Sequence, residues 1–189
     1  MIFNRHSNLE GKHAFLSASK YHWINYDERK LIDTYSNYRA AQKGTELHDF
    51  AKRCIQLGIK LPDERKTLNM YVNDAIRFGL VPEQPLYFSE NCFGTADTIG
   101  FKNNILRISD LKTGVSTASM DQLMIYESIF CLEYGLRPTE FESELRIYQS
   151  DDIQMLSPEP EDIFMIMGKI VKFDLCIQKL KEGDSNEFI

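Results

Sequence analysis

Apolar and polar positions divide the chain into segments with two different periods. Helical spacing of apolar residues predicts helices over 45–58 and 67–78, and polar or mixed helices are predicted over 27–43, 116–133 and 158–181. Gly44 is expected to separate the helix over 27–43 from the helix over 45–58. Ser17 or Ser19 is expected to cap a further helix that starts near Lys20. Two-residue alternation and apolar runs predict strands over 86–89, 94–101, 105–112 and 141–148.

This order of elements predicts an α/β (α+β) fold with a central mixed sheet of about four strands flanked by helices. We expect a single domain over 1–189, with its core at about 16–150 and an acidic C-terminal helix at about 158–181.

The second and third predicted strands form a hairpin around Asn103 and Asn104. Asparagine tolerates positive φ, so these two residues suit a two-residue loop. Partners across such a hairpin have residue numbers that sum to 207, which sets Asp97 opposite Asp110. Lys112 follows Asp110 on the same face of its strand.

That face continues away from the carboxylates as four apolar residues: Ile99, Phe101, Leu106 and Ile108. Asp97 and Asp110 are therefore expected to be partly buried, and like charges directly opposite each other are destabilising. A divalent cation, which prefers hard oxygen ligands, would relieve this repulsion.

Three further polar residues lie on helices next to the hairpin. His48 borders the apolar stripe of the helix over 45–58. Gln122 and Tyr126 are four residues apart and share one helix face, and Ser119 and Gln122 have the spacing of a capping box.

Each of these residues also has an ordinary structural explanation. A histidine beside an apolar stripe is usually a hydrogen-bonded core residue, and Asp97 alone could end a strand or lie in a turn. Asp110 with Lys112 could be a surface ion pair worth about 0–1 kcal/mol. Gln122 and Tyr126 could be a helix face with one hydrogen bond. Only their joint order along the chain favours a common site.

The joint order resembles the PD-(D/E)xK nuclease superfamily, in particular its RecB-like branch. The resemblance covers about Leu16 to Tyr148. It rests on five motifs: Leu16-Ser-Ala-Ser19, Gly44-Thr-Glu-Leu-His48, Gly94-Thr-Ala-Asp97, Asp110-Leu-Lys112-Thr-Gly and Gln122-Leu-Met-Ile-Tyr126. The branch includes the nuclease domains of RecB and AddAB, CRISPR-associated RecB-like exonucleases and phage recombination exonucleases.

The resemblance implies a restriction-endonuclease-like core and a role for each motif residue. His48, Asp97, Asp110 and the main-chain carbonyl of Leu111 would bind Mg²⁺ or Mn²⁺. Lys112 would act on the attacking water or on phosphate charge. Gln122 and Tyr126 would position the lysine or contact DNA. The implied activity is metal-dependent hydrolysis of DNA phosphodiester bonds.

The stand-alone format of 189 residues favours an exonuclease of phage or mobile-element recombination or repair. The expected partners are DNA ends, with a single-strand annealing protein and further copies of the chain as candidates. Two alternatives remain open: a catalytically silent module of the same fold that binds DNA ends or protein, and a nuclease that acts on RNA.

Charge and cysteine usage refine this picture only slightly. The net charge is −6, and residues 139–189 hold 12 acidic and 5 basic side chains, so the rest of the chain is close to neutral. The four cysteines are widely spaced, which argues against a zinc or iron–sulfur site and predicts buried thiols in a reducing compartment. Without a signal peptide or apolar span, a cytoplasmic location in a bacterium or phage-infected host is expected.

Overall fold

A computed structural model of the chain describes Arg5, Ser7, Gly11 and residues 14–114 and 118–185. The chain forms two compact units, Met1–Lys43 and Gly44–Ile189. The larger unit holds the sheet and the seven candidate site residues. Among the described residues, no helix has both the length and the apolar character needed to cross a membrane.

The smaller unit begins, within the described residues, with a few turns and a 3₁₀ helix, Ala18–Asn25. Ser17 precedes this helix, but its hydroxyl pairs with the Ser19 hydroxyl at 2.8 Å and caps no backbone N–H. The prediction of a serine-capped helix is wrong here, because the two serine side chains satisfy each other. Trp23 instead fixes the segment by donating from Nε1 to the Ser17 carbonyl at 2.9 Å.

Three aromatic rings form a cluster in this smaller unit. Phe15, Tyr35 and Tyr38 contact one another with ring centroids 5.0 to 6.1 Å apart. A cavity of about 240 Å³ lies beside them. Its lining includes the rings of Phe15, Trp23, Tyr26 and Tyr38 and the side chain of Lys20.

The helices of the chain are α1 (Glu28–Leu57), α2 (Thr67–Phe78), α3 (Asp121–Tyr134) and α4 (Pro160–Ser185), with a short 3₁₀ turn at Pro138–Glu140. The predicted break at Gly44 is wrong, since α1 continues through it. A Cβ added at Gly44 would lie 2.9 Å from Oγ1 of Thr113. Glycine at this position therefore permits close packing of α1 and does not end the helix.

Five strands form one mixed sheet in the order β1-β2-β3-β4-β5. They are β1 (Val81–Ser89), β2 (Cys92–Lys102), β3 (Ile105–Leu111), β4 (Glu142–Gln149) and β5 (Asp152–Leu156). β3 and β4 pair in parallel, and α3 lies between them in the chain, as a parallel pair requires. The other neighbouring pairs are antiparallel. The predicted α/β fold class with a mixed sheet is confirmed.

Both edge strands differ from the sequence prediction. β5 was not predicted; it follows a tight turn at Ser150 and Asp151, whose φ values are 52° and 59°. β1 begins before its predicted start and includes Pro82 and Pro85. Proline cannot donate to a ladder, so an edge position suits these two residues.

The central hairpin has the predicted loop and register. Asn103 and Asn104 have φ values of 53° and 61°, and ladder partners from Thr98–Ser109 to Lys102–Ile105 sum to 207. The hydrogen-bonded ladder between β2 and β3 ends at Thr98–Ser109. The same sum of 207 puts Asp97 and Asp110 at the next position, where the carboxylate of Asp97 accepts the N–H of Leu111.

The alternation of β2 is interrupted beside Asp97. Ala96 and Ile99 are three residues apart, yet both belong to the core between the sheet and helices α3 and α4. A regular strand would place them on opposite faces. The predicted apolar face is otherwise buried at Ile99, Leu106 and Ile108. Phe101 remains 45% exposed, with its ring tilted against Phe130 and edge-on to Phe141.

A second core lies on the other face of the sheet. There α2 and the C-terminal part of α1 pack Ala51, Tyr71 and Val72 against Leu111 and Tyr148. The prediction of buried cysteines holds for Cys54 and Cys131 and is wrong for Cys176, which is exposed on α4, and for the half-buried Cys92. All four are free thiols.

Candidate metal centre

Three elements of the larger unit bring His48, Glu83 and Asp97 together. Each residue offers one ligand atom, and these atoms all lie within 4.8 Å of one another. His48 comes from α1, Glu83 from β1 and Asp97 from β2. Nδ1 of His48 lies 3.4 Å from Oδ2 of Asp97. All three side chains are half-buried, so an ion between them would be shielded from much of the solvent.

Glu83 was missed by the sequence prediction, and its backbone explains why. Ladder partners between β1 and β2 sum to 180 on both sides of Glu83, which puts Glu83 at the level of Asp97. Its φ is 53°, an uncommon conformation for a glutamate within a strand. The register of β1 against β2 is the signal that could have found Glu83, but it depends on both the turn at Glu90–Asn91 and the register shift between Tyr87 and Ser89.

The carboxylate of Asp97 is fixed by a hydrogen bond, and its surroundings disfavour its negative charge. Burial, followed by the negative charge of Asp110, raises the pKa of Asp97 to about 6. The Leu111 N–H, which donates to Oδ2 at 2.9 Å, and His48 lower this pKa, but they do not outweigh burial. A positive ion would favour the charged form and reverse the shift.

Asp110 is 3% exposed, and its carboxylate is paired with the ammonium of Lys112. Its Oδ1 accepts a hydrogen bond from Nζ of Lys112 at 3.1 Å. Its Oδ2 lies 3.0 Å from the same Nζ but accepts no hydrogen bond among the described residues. The ammonium of Lys112 therefore offsets the charge of this buried carboxylate.

Lys112 joins this carboxylate to the first turn of α3. Its Nζ donates to Oε1 of Gln122 at 2.9 Å, and Nε2 of Gln122 donates to the Tyr126 hydroxyl at 3.4 Å. The Tyr126 hydroxyl donates in turn to the Thr95 carbonyl at 2.7 Å. Hydrogen bonds thus link three predicted motif residues in series, Lys112, Gln122 and Tyr126, and connect the last of them to β2.

Glycine is needed on β2 where the ring of Tyr126 packs against the strand. A Cβ added at Gly94 would lie 2.9 Å from the ring of Tyr126, so a larger residue there would displace the ring. The predicted capping box at Ser119 and Gln122 is wrong. Ser119 accepts the N–H of Asp121 at 3.1 Å, while Gln122 is occupied by Lys112.

All seven predicted site residues lie in this region of the larger unit. Leu111 is buried, and its N–H contributes by fixing Asp97. Of the histidines without a motif, His22 packs against Tyr21 in the smaller unit, and His6 and His13 lie outside the described residues. The alternative of an ordinary core histidine does not describe His48, which faces two carboxylates.

The donor set fits a divalent cation. One imidazole nitrogen and two carboxylates converge, and a cation there would offset the repulsion that raises the pKa of Asp97. The dominance of carboxylate oxygen favours Mg²⁺ or Mn²⁺ over softer metals.

Comparisons with known proteins add no identification, because no family model, no curated protein and no solved structure matches this chain.

Proposed function

We propose that the chain is a metal-dependent nuclease that hydrolyses DNA phosphodiester bonds. One observation carries the proposal: a cluster of metal-ligand side chains lies beside a lysine held between a buried carboxylate and a glutamine. The resemblance of its five sequence motifs to RecB-like PD-(D/E)xK nucleases is the second support.

His48, Glu83 and Asp97 would hold the ion, with Asp110 and, as the resemblance implies, the carbonyl of Leu111. A bound Mg²⁺ or Mn²⁺ would supply a more acidic bound water and would stabilise charge on the phosphate. Asp110 and Gln122 hold the ammonium of Lys112 in one position, and its side chain is 33% exposed. Lys112 can therefore donate to a phosphate oxygen or to the attacking water without first reorienting.

Charge distribution supports a nucleic-acid substrate more than the net charge suggests. Residues 1–43 hold 7 basic and 4 acidic side chains, a net of +3, whereas residues 44–189 hold 15 basic and 24 acidic, a net of −9. The smaller unit also carries the cavity lined by aromatic rings and Lys20. Basic and aromatic side chains in combination suit a nucleic-acid strand, because bases stack on rings and phosphates pair with cations.

The expected biological setting is recombination or repair in the cytoplasm of a bacterium or phage-infected host, with a single-strand annealing protein as a partner. An exonuclease acting on linear DNA ends fits that setting best.

Incubation of the full chain with end-labelled linear duplex, single-stranded DNA and RNA is the direct test, in Mg²⁺, in Mn²⁺ and in EDTA. We expect metal-dependent cleavage of DNA that Asp110→Asn and Lys112→Met each reduce by about 100-fold or more. Asp152→Asn is the matched control, since Asp152 is exposed on β5 and pairs with Arg65.

Three results would reject parts of the proposal. Cleavage that persists in Asp110→Asn would place the activity elsewhere. Binding of DNA without turnover in any metal would favour the silent module. Preference for RNA would keep the chemistry and change the substrate.

A further inference from the structure

The outer surface of α4 is unusually apolar for a helix that faces solvent. Ile163 is fully buried against the sheet, and Met167 and Ile170 pack partly on the same core. Beyond this inner stripe, Phe164 and Leu175 are 41% and 51% exposed. A helix that is apolar on more than its core-facing side is usually covered by another element.

One exposed stripe runs along the flank of α4 that faces α3. It consists of Phe164, Gly168, Val171 and Leu175, at spacings of four, three and four residues, and is called the Phe164 stripe below. Together with Leu132 of α3, these residues line a shallow groove of about 630 Å³. The alternating spacing is that of a helix seam that packs against a second helix.

No close contact among the described residues explains Gly168. It lies in the helix interior, where glycine is less favourable than alanine, and an added Cβ would meet nothing within 4 Å among the described residues. A glycine in the middle of an apolar seam lets the backbone of another helix approach closely. The space that this glycine leaves open is on the exposed side of α4.

Charges along α4 indicate which helix would approach. Glu161 and Asp162 lie in its first turn, whereas Lys169, Lys172 and Lys179 follow later in the helix. Two antiparallel copies of α4 would place Glu161 of each beside Lys179 of the other, while Lys169 and Lys172 would lie near the middle of the interface. With a two-fold axis between Lys169 and Ile170, the stripe becomes self-complementary: Phe164 meets Leu175 and Gly168 meets Val171.

The helix is also anchored firmly enough to present this surface. Asp174, on the inner side of α4, accepts hydrogen bonds from Oγ of Ser89 at 2.6 Å and from Nδ2 of Asn91 at 2.8 Å. These bonds tie the helix to the end of β1 and to the turn before β2. Docking would therefore require little ordering of α4, which keeps its entropic cost low.

We propose that the Phe164 stripe is a homodimer interface, in which α4 packs antiparallel on α4 of a second copy of this chain. The partner is a second copy because the stripe and the charges of α4 are complementary to themselves. The interface is independent of the proposed nuclease function.

The first test measures the mass of the full chain in solution by light scattering and sedimentation across a concentration series. We expect a species of twice the 22.0 kDa chain mass. Val171→Glu should convert it to monomer, with at least a 100-fold weaker dissociation constant. Phe173→Glu is the matched control: Phe173 is 58% exposed on the opposite flank of α4, and this variant should remain dimeric.

A second test uses the charges and leaves the apolar seam intact. Glu161→Lys and Lys179→Glu should each weaken the dimer by about 10-fold, because each creates like-charge contacts with the second copy. The double variant should recover the dimer, and so should a mixture of the two single variants. That recovery is expected only if the partner is the chain itself.

Two outcomes would overturn the proposal. One is a monomer at roughly 100 μM chain, with unchanged far-UV circular dichroism. The other is a dimer that persists in Val171→Glu or dissociates in Phe173→Glu. Either result would show that the two copies associate through another surface.

Discussion

Nζ of Lys112 donates a hydrogen bond to Oε1 of Gln122 at 2.9 Å, which joins the residue after β3 to the first turn of α3. Two elements that are separated in the chain by a loop are thereby fixed at the candidate site. Within the described part of the chain, the Gln122 side chain bonds to Lys112 and Tyr126 and to none of the candidate metal ligands, so its expected role is to position the lysine.

Gln122→Met tests this positioning role. Methionine has a similar length but lacks the strong amide acceptor for Nζ of Lys112, so the ammonium should lose one of its two anchors. We expect the DNA cleavage rate to fall roughly 10- to 100-fold, while Mn²⁺ affinity measured by calorimetry stays unchanged. Asp121→Asn is the control at the neighbouring exposed position. A loss of Mn²⁺ affinity in Gln122→Met would show that the effect is not confined to the lysine.

Glu83→Gln tests whether the residue missed by sequence reasoning is a ligand. The amide keeps the shape but removes the charge, so Mn²⁺ affinity should fall by about 10-fold or more. The metal-free protein should be no less stable to urea, since Glu83 adds to the repulsion that raises the pKa of Asp97. Glu90→Gln, at the exposed β1–β2 turn, should change neither quantity. Equal Mn²⁺ affinity in Glu83→Gln and the unmodified chain would remove Glu83 from the site.

Much of the hairpin and part of the candidate site could be predicted because they depend on local rules. Two asparagines with positive φ set the loop, the loop sets the register, and the register places Asp110 and Lys112 next to a buried apolar face. Helical spacing likewise placed Gln122 and Tyr126 on one side of α3. Each step needed only backbone geometry and neighbouring residues.

The features that were missed depend on contacts between distant segments. Glu83 joins the site through a left-handed backbone conformation that no local pattern indicates. Gly44 looks like a helix break in isolation, and only the proximity of Thr113, 69 positions later, explains it as a close contact. β5 is a short edge strand whose pattern is half exposed, so its alternation carries little hydrophobic contrast.

Gly44→Ala tests the contact between α1 and the loop after β3. Alanine favours the helix by about 1 kcal/mol, but its Cβ would press on Oγ1 of Thr113, the neighbour of Lys112. The free energy of unfolding should therefore change little, while the cleavage rate falls. Adding Thr113→Ala should restore cleavage and leave the chain about 1 kcal/mol more stable in urea unfolding. If Thr113→Ala alone lowers cleavage equally, the hydroxyl itself is needed and the steric explanation fails.

Glu127 provides a pH test that is separate from the candidate metal centre. Its side chain is 2% exposed on α3, Oε1 accepts the Ser143 hydroxyl at 2.6 Å, and Oε2 has no hydrogen-bond partner among the described residues. Burial raises the pKa of Glu127 to about 7, and the Ser143 hydroxyl only partly opposes this. Between about pH 4.5 and 7, Glu127 is therefore protonated in the folded chain. In the unfolded chain, where its pKa is ordinary, it has already lost that proton.

The sign of the effect follows from this difference in bound protons. The contribution of Glu127 to stability is fully present below the unfolded pKa and is lost as pH rises through about 7. Glu127→Gln keeps an acceptor for Ser143 without the ionisation, so the variant should match the unmodified chain near pH 4.5 and exceed it above pH 7. A gain on the order of 3 kcal/mol is expected in urea unfolding at the higher pH. Glu142→Gln, at an exposed position of β4, should have the same pH dependence of stability as the unmodified chain. If Glu127→Gln also parallels the unmodified chain at every pH, ionisation of Glu127 does not destabilise the fold.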